Sequence, residues 1–293
     1  MRIINLPQDI IPANQKKEES IIFHPFIATG NPFTGKSILH TNAVSLVMTG
    51  QKTMHFANKI LKIKNDEFHF LSAGNCIASV NMAGKETFSS ILIFFKNEVL
   101  TEFYMKYADL ANSIKNKYSV PNESYVSFKK DAFVANFITS LNLLLADAKS
   151  ISMEMKTLKF EELMLHLLER YPAAILSFEA SGSRDLNDME IKRAVESNIT
   201  NKITIEELAF LCNTSLSGFK RRFEKLYGTS PSKWMLQKRI EFAKHLLQHH
   251  GEKPGEVYYK VGYENHSSFS QSFKQIVGVT PKNYQQQQLN VQQ

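Results

Sequence analysis

The stretch FKRRFEKLYGTSPSKW at residues 219–234 returns as FSQSFKQIVGVTPKNY at residues 269–284, and equivalent positions are 50 residues apart. The two copies align without a gap, and such a repeat indicates a duplicated supersecondary unit. Five positions of this register carry the same or a similar residue in both copies. They pair Phe219 with Phe269, Phe223 with Phe273, Gly228 with Gly278, Pro231 with Pro281, and Trp234 with Tyr284.

Each copy predicts a short helix, a tight stop and a second helix. The two phenylalanines lie four positions apart, which places them on one helix face. The glycine suits a left-handed residue at the end of the first helix. Ser230 and Thr280 precede the prolines and suit an N-cap followed by proline at the first helical position. From this pattern alone, a pair of ordinary helical hairpins is an equally good interpretation.

The composition is that of a globular protein of about two domains, because 43% of the 293 residues are apolar and 22% are charged. No apolar run is long enough for a membrane span, and the N-terminus lacks the apolar core of a signal peptide. We therefore expect a cytoplasmic protein without membrane association. Cys76 and Cys212 lie in different predicted domains, so a disulfide is not expected. The net charge of +7 permits binding to nucleic acid.

The N-terminal region predicts an α+β domain. Residues 1–20 are polar and predict irregular structure, whereas residues 21–95 contain short β-type runs separated by turns, a pattern typical of a sandwich or small barrel. From residue 97 the apolar period becomes helical, and two apolar stripes predict an antiparallel helix pair. This pair packs either on the barrel or against another subunit. In the second case the dimerisation residues are Phe137, Leu141, Leu144, Met164 and Leu168.

The C-terminal region predicts only helices. We place the N-terminal domain at residues 1–180, a small polar linker, SGSRDLND, at residues 181–188, and the helical domain at residues 189–293. Thr204 and Glu207 have the spacing of a capping box. Each phenylalanine pair follows a shorter apolar helix and a turn, which is the order of a helix-turn-helix unit. The final residues, QQQQLNVQQ, predict a frayed end.

The second helix of each unit has a polar outer face. The first carries Ser217, Lys220 and Arg221, and the second carries His266, Ser267, Ser270 and Gln271. Lysine and arginine favour guanine in the major groove, glutamine favours adenine, and serine is permissive. The neighbouring Arg222 suits phosphate instead. Two such helices joined by one long helix could enter successive major grooves of double-stranded DNA.

These residues also carry a family resemblance. The run ITIEELAFLCNTSLSGFKRRFEKLYGTSPSKW at residues 203–234, followed by VYYKVGYENHSSFSQSFKQIVGVTPKNY at residues 257–284, resembles the DNA-binding domain of AraC/XylS-family transcriptional regulators. The resemblance implies two helix-turn-helix units bridged by one helix. It places base contacts at Ser217, Lys220, Arg221, His266, Ser267, Ser268, Ser270 and Gln271.

The resemblance extends less specifically to the N-terminal half. There the strand–turn–strand run SLVMTGQKTMHF at residues 45–56 is similar to the cupin-like β-barrel of the family's sensory and dimerisation domain. It implies an activator that binds promoter DNA, contacts RNA polymerase, can form a homodimer and responds to a small molecule or to a protein partner. Protein partners are implied by a similarity to the branch that includes type III secretion activators.

An enzyme is not expected. His24, His40, His55 and His69 stand singly, without the paired spacing of a metal site, so we expect no metal and no cofactor. The segment GNPFTGKS at residues 30–37 matches the spacing of a phosphate-binding loop, but a β-type run follows it. A nucleotide-binding enzyme is therefore the weaker alternative. A ligand-binding module without specific DNA binding is another.

Overall fold

A computed structural model describes the chain over residues 3–11, 19–29, 33–81, 87–115, 123–147, 150–178, 188–249 and 252–291. The chain divides into two compact units. Unit 1 comprises Met1–Phe56 and Ile60–Arg184, and unit 2 comprises Ala57–Lys59 and Asp185–Gln293. Except for Asp188, the linker predicted at residues 181–188 lies outside the described residues.

Unit 1 contains two five-stranded sheets. The first sheet has the order β1 (Ile3–Leu6), β3 (Phe33–Leu39), β8 (Gly74–Asn81), β5 (Gln51–His55) and β6 (Ile60–Ile63). The second has the order β10 (Tyr125–Lys129), β7 (Glu67–Leu71), β4 (Asn42–Thr49), β9 (Phe88–Phe95) and β2 (Ile21–Ala28). Apart from the parallel pair β1–β3, the strand pairs within these sheets are antiparallel.

The two sheets pack face to face. Met54 and Cys76 of the first sheet share a core with Val47 and Leu92 of the second. The other face of the second sheet is also buried, which explains why β9 ends in the continuous apolar run ILIFF at residues 91–95. The β-rich N-terminal domain is thus confirmed. The described strands form an open two-sheet sandwich, because each sheet has an edge strand at both ends. The sandwich is one of the two architectures predicted from the strand pattern, whereas the barrel that the resemblance implied is not closed.

The polar N-terminus contributes more than predicted. Residues Ile3–Leu6 form β1, whose register pairs Ile3 with Lys36 of β3. The prediction of irregular structure was wrong for this segment. Its four residues are too few for a local signal, and its hydrogen bonds come from a strand more than thirty positions away.

The described part of unit 1 also contains five helices, and β10 lies between the second and the third of them: α1 (Asn97–Lys106), α2 (Ala108–Lys115), α3 (Ala132–Ala146), α4 (Met153–Arg170) and α5 (Pro172–Ser177). The apolar stripes of α3 and α4 pack into the core on the second sheet. Four of the residues predicted for dimerisation, Phe137, Leu141, Met164 and Leu168, are at most 2% exposed there, and Leu144 is half-buried. The subunit-interface prediction is thus corrected, because these four side chains already pack inside their own domain.

The segment GNPFTGKS does not have the surroundings of a phosphate loop. Its described part, residues 33–37, lies in β3 between β1 and β8, and the next element is β4. The backbone groups of residues 33–37 are therefore part of a sheet ladder, and no helix begins at Ser37. The nucleotide-binding alternative has no structural support in these residues.

Unit 2 contains seven helices within the described residues. They are α6 (Asp188–Glu196), α7 (Ile205–Leu211), α8 (Leu216–Tyr227), α9 (Pro231–His249), α10 (Pro254–Lys260), α11 (His266–Val277) and α12 (Pro281–Val291). Glutamines 285–288 belong to α12, so the prediction of a frayed end was wrong as far as Val291. None of the described helices in either unit could cross a membrane. Cys76 and Cys212 are buried, one in each unit, and form no disulfide.

Two apolar clusters organise unit 2. Met235, near the start of α9, packs with α6, α7 and α8, whereas Ile240 and Ala243, further along α9, pack with α10 and α11. Helix α9 therefore bridges two copies of one arrangement. The predicted sequence of helices is confirmed, as is the capping box at the start of α7.

Candidate nucleic-acid interface

The aromatic residues of the repeat build the same packing twice. In the first copy the ring centroids of Phe219 and Phe223 are 5.9 Å apart, and Trp234 contacts Phe223 edge-on at 5.8 Å. The equivalent distances in the second copy are 5.7 and 5.5 Å. All four phenylalanines are fully buried. Each copy thus fixes the rotation of α8 or α11 about its axis, and with it the face that remains outside.

The ends of these two helices also repeat. Ser215 caps α8 and Asn265 caps α11, each accepting a hydrogen bond from a backbone N–H three residues later. Gly228 and Gly278 stop the helices with φ values of +67° and +89°, which are left-handed conformations that favour glycine. The boundaries of both helices are therefore specified locally, by side chains within one turn.

The cap of α11 supports a direct prediction. Asn265 Oδ1 accepts a hydrogen bond from the Ser268 N–H at 2.9 Å. Because Asn265→Ala leaves this donor without its partner, we expect unit 2 to lose about 1 kcal/mol of stability. Denaturant unfolding followed by the fluorescence of Trp234, the only tryptophan, measures this loss. Ser267→Ala changes an exposed neighbour and is the matched control. An equal effect of both substitutions would contradict the capping role.

Helix α8 carries a polar and basic outer face. Ser217, Lys220 and Arg221 are exposed and lie opposite the buried face formed by Phe219 and Phe223. Their spacing of three and four positions places them side by side along the helix. This face is suited to donating hydrogen bonds to an acceptor-rich surface such as the major groove.

Arg222 is different from its neighbours. It is half-buried, and its Nη2 lies 3.1 Å from a carboxylate oxygen of Asp188 in α6. A phosphate contact by Arg222 would require this ion pair to open. The sequence could not show this pair, because the two residues are 34 positions apart.

The outer face of α11 is polar but weakly charged. His266, Ser267, Ser268 and Gln271 are exposed, whereas Ser270 is half-buried with its Oγ 3.4 Å from His266 Nε2. Sequence reasoning missed Lys274, which is exposed in the last turn of α11. The 50-residue register aligns Lys274 with Glu224 of the first copy, and this difference in charge is a sequence signal that could have identified Lys274. The face is therefore less neutral than expected.

A half-buried arginine connects the parts of unit 2. Arg239, in the middle of α9, donates from Nε to the carbonyl of Ile199 and from Nη2 to that of Asn201, both at 2.7 Å. Gly262, in the turn between α10 and α11, lies against the same segment at Thr200. The connection between α6 and α7 thus contacts both the bridging helix and the turn of the second copy. Sequence reasoning did not single out Arg239.

None of the histidines considered for a metal site belongs to a metal-binding cluster among the residues that the structure describes. His69 is buried in unit 1, with Nδ1 3.0 Å from the hydroxyl of Tyr125. Burial lowers its pKa to about 4, so the ring is neutral at physiological pH.

Comparison with known proteins matches both halves of the chain. The family described as ExsA N-terminal regulatory domain matches residues 42–178, and a helix-turn-helix domain family matches residues 208–287. Among curated relatives, the HTH-type transcriptional regulator ExsA of Pseudomonas aeruginosa is 24% identical over 83% of this chain and 85% of its own length. The virulence regulon transcriptional activator VirF of Yersinia enterocolitica is 22% identical over 80% and 86%, respectively.

Other relatives are matched over shorter spans. The chain covers 45, 43 and 39% of the length of three further regulators that are 29 to 30% identical to it. A solved structure of ToxT from Vibrio cholerae aligns with 91% of this chain and 98% of its own, at 17% identity and a TM-score of 0.40. The regulatory-domain match in unit 1 and the duplicated helix-turn-helix domain in unit 2 show that the chain belongs to the AraC/XylS family of transcriptional regulators.

Proposed function

We propose that this DNA-binding regulator is a sequence-specific activator that reads promoter DNA through α8 and α11 and is controlled by an effector acting on its N-terminal domain. The observation that carries this proposal is the repeated packing of unit 2, which leaves a polar face outside on each of two equivalent helices. In this proposal the N-terminal domain spans residues 1–180 and the DNA-binding domain spans residues 189–293.

The bridging helix suits contact with two turns of DNA. Helix α9 has 19 residues, and at 1.5 Å per residue it is about 28 Å long. Successive major grooves on one face of DNA are about 34 Å apart, so two units joined by a helix of this length can address neighbouring grooves. A single copy of the chain would then bind an asymmetric site.

The two helices contribute differently in this proposal. Lys220 and Arg221 supply charge-assisted hydrogen bonds to base edges, and Arg221 can contact guanine with two parallel bonds. The serines, His266 and Gln271 of α11 carry no fixed charge. They act more through shape and backbone contacts, with Lys274 close enough to the end of the helix to reach phosphate.

The activating and regulatory parts rest on the relatives and on unit 1. VirF is named a transcriptional activator, and the matched N-terminal family is named a regulatory domain. Contact with RNA polymerase and formation of a homodimer are further proposals. Since four of the five residues first considered for dimerisation are core residues, a dimer would use other surfaces of unit 1. The effector is a small molecule or a protein partner.

The combined substitution Lys220→Ala and Arg221→Ala tests the reading role of α8. Selection from random duplexes first identifies the sequence preferred by the wild-type protein. We expect the variant to lose about 1–3 kcal/mol for each missing base contact and to relax its preference at those positions. Competition binding against an unrelated duplex measures both effects.

Lys225→Ala provides the matched control, because Lys225 is exposed on the same helix and carries the same charge as Lys220. It is expected to weaken binding to all sequences alike and to lower the salt dependence, as loss of a phosphate contact does. An unchanged selected sequence in the double variant would refute the role of Lys220 and Arg221. If the wild type selects no sequence, the alternative of a ligand-binding module without specific DNA binding is favoured.

A further inference from the structure

Unit 1 contains a cavity between its two sheets. The cavity measures about 720 Å³ when the space that is open to solvent is included. Most of the wall is apolar and comes from both sheets, including Leu39, Met54, Val80, Leu92 and Phe94. Such a wall suits an apolar molecule.

One lysine enters this apolar cavity. Lys52 of β5 lines it, and its Nζ donates a hydrogen bond to Ser45 Oγ at 3.0 Å. Because Ser45 is 0% exposed, the ammonium group must lie inside the domain and not at its surface. The ring centroid of Phe88 is 5.7 Å from the same nitrogen. Burial lowers the pKa of Lys52 to about 8, as expected where the charged form is poorly solvated.

The neighbouring titratable groups do not balance this charge. Burial raises the pKa of the Cys76 thiol to about 12, so it stays protonated, and it keeps His69 neutral. Among the described residues, no carboxylate forms an ion pair with Lys52. A buried ammonium group without a counter-charge is costly, and an accompanying anion lowers that cost.

A second polar group in the wall also lacks a partner. Ser90 of β9 lines the cavity and is 1% exposed, and its Oγ makes no hydrogen bond to any residue that the structure describes. Buried hydroxyl groups are normally hydrogen-bonded. The Ser90 hydroxyl thus indicates, independently of Lys52, that the cavity can accept a polar atom that the described residues do not provide.

We propose that this cavity binds an apolar molecule with one anionic group, which pairs with the Lys52 ammonium group, while Ser90 Oγ is available as a further hydrogen-bond partner. This inference rests on the proposed control of the N-terminal domain by an effector, and it assigns the effector to the class of small apolar anions. Such a ligand supplies the counter-charge that Lys52 lacks among the described residues and therefore stabilises the folded state.

Two fluorescent probes with the same aromatic body test this on the full chain. Anilinonaphthalene sulfonate carries one negative charge, whereas phenylnaphthylamine is its uncharged counterpart. We expect the wild type to bind the sulfonate saturably, at one site, and at least tenfold more tightly than the neutral probe. Lys52→Met should remove this preference while the neutral probe still binds, because methionine keeps the wall apolar.

Lys62→Met is the matched control. Lys62 lies on the neighbouring strand β6 with its side chain exposed, so its loss removes the same charge without touching the cavity. It should leave both affinities unchanged. Thermal unfolding without probe gives a second measurement: Lys52→Met should raise the melting temperature of unit 1, because it removes a buried charge that has no counter-ion. Tight sulfonate binding by Lys52→Met, or no saturable binding by the wild type, would overturn the site.

These outcomes separate the site from the regulatory proposal. If the sulfonate binds through Lys52 but does not change the affinity of the full chain for its selected duplex, the site stands and control by a ligand of this class fails. If DNA selection succeeds but the probe does not bind, the DNA-binding proposal stands and the ligand class is refuted.

Discussion

Replacing Arg239 by methionine is expected to lower the free energy of unfolding of unit 2 by about 3–5 kcal/mol. The guanidinium donates to the carbonyls of Ile199 and Asn201, and each hydrogen bond from a charged donor is worth about 1.5–3 kcal/mol. Methionine fills a similar volume but donates nothing. The carbonyl groups of Ile199 and Asn201 lie in a part-buried site, and the substitution leaves them without the hydrogen-bond donor that takes the place of water.

The loss can be measured in the full chain. Trp234 is the only tryptophan and lies in α9, so its fluorescence during denaturant unfolding reports on unit 2 and not on unit 1. Lys233→Met removes a positive charge from an exposed position on the same helix and is expected to stay within about 0.5 kcal/mol of the wild type. A loss below about 1 kcal/mol for Arg239→Met would show that these two hydrogen bonds contribute little, contrary to their geometry.

The same substitution should weaken specific DNA binding more than nonspecific binding. Arg239 ties the connection between α6 and α7 to the bridging helix, at the level where Gly262 of the second unit also approaches. Loosening this connection lets α8 and α11 vary in relative orientation. Simultaneous reading of two grooves requires a fixed orientation, whereas phosphate contacts tolerate variation.

Replacing Gly262 by alanine is expected to cost about 2–4 kcal/mol of unit 2 stability. A Cβ at this position would lie 2.7 Å from the carbonyl oxygen of Thr200 and 3.3 Å from Cζ of Arg239. The first contact is with backbone, which cannot move aside as the end of a side chain can. In addition, φ is +84°, a left-handed conformation that alanine adopts only with strain.

Gly255→Ala is the matched control, because Gly255 lies in the adjoining helix α10 and a Cβ there would meet no atom within 4 Å. It should be neutral or stabilise unit 2 by about 0.4–1 kcal/mol, since alanine has fewer unfolded conformations than glycine. The Trp234 unfolding assay compares both variants directly. Equal stabilities for the two variants would contradict the close approach at Thr200.

Much of the DNA-binding half could be predicted from the sequence, for a physical reason. Helix ends depend on residues within one turn, so Ser215, Asn265, Gly228 and Gly278 can be recognised from their positions. The faces of α8 and α11 follow from the spacing of their phenylalanines. The ion pair between Arg222 and Asp188 could not be predicted in this way, because Asp188 belongs to another helix.

The N-terminal half was predicted less completely. The short β-type runs of the sequence and the turn residues between them located β4 to β9. They could not show how the strands divide into two open sheets, because strand order depends on pairing between distant segments. Similarly, the apolar stripes of α3 and α4 predicted buried faces without indicating what covers them. The structure places the second sheet there, whereas a subunit partner was an equally good expectation.

The sequence by itself determined that the chain carries a duplicated helix-turn-helix domain behind a β-rich domain, and which residues of the duplicated helices face outward. These features follow from local rules, namely helix period, capping chemistry and a constant register of 50 residues. Only the tertiary structure decided that Arg239 holds the carbonyls of residues 199 and 201, and that Lys52 extends into an apolar cavity beside Ser90. Both depend on groups from distant segments, and a lysine or arginine in a polar run cannot show from its neighbours in sequence whether it will be buried.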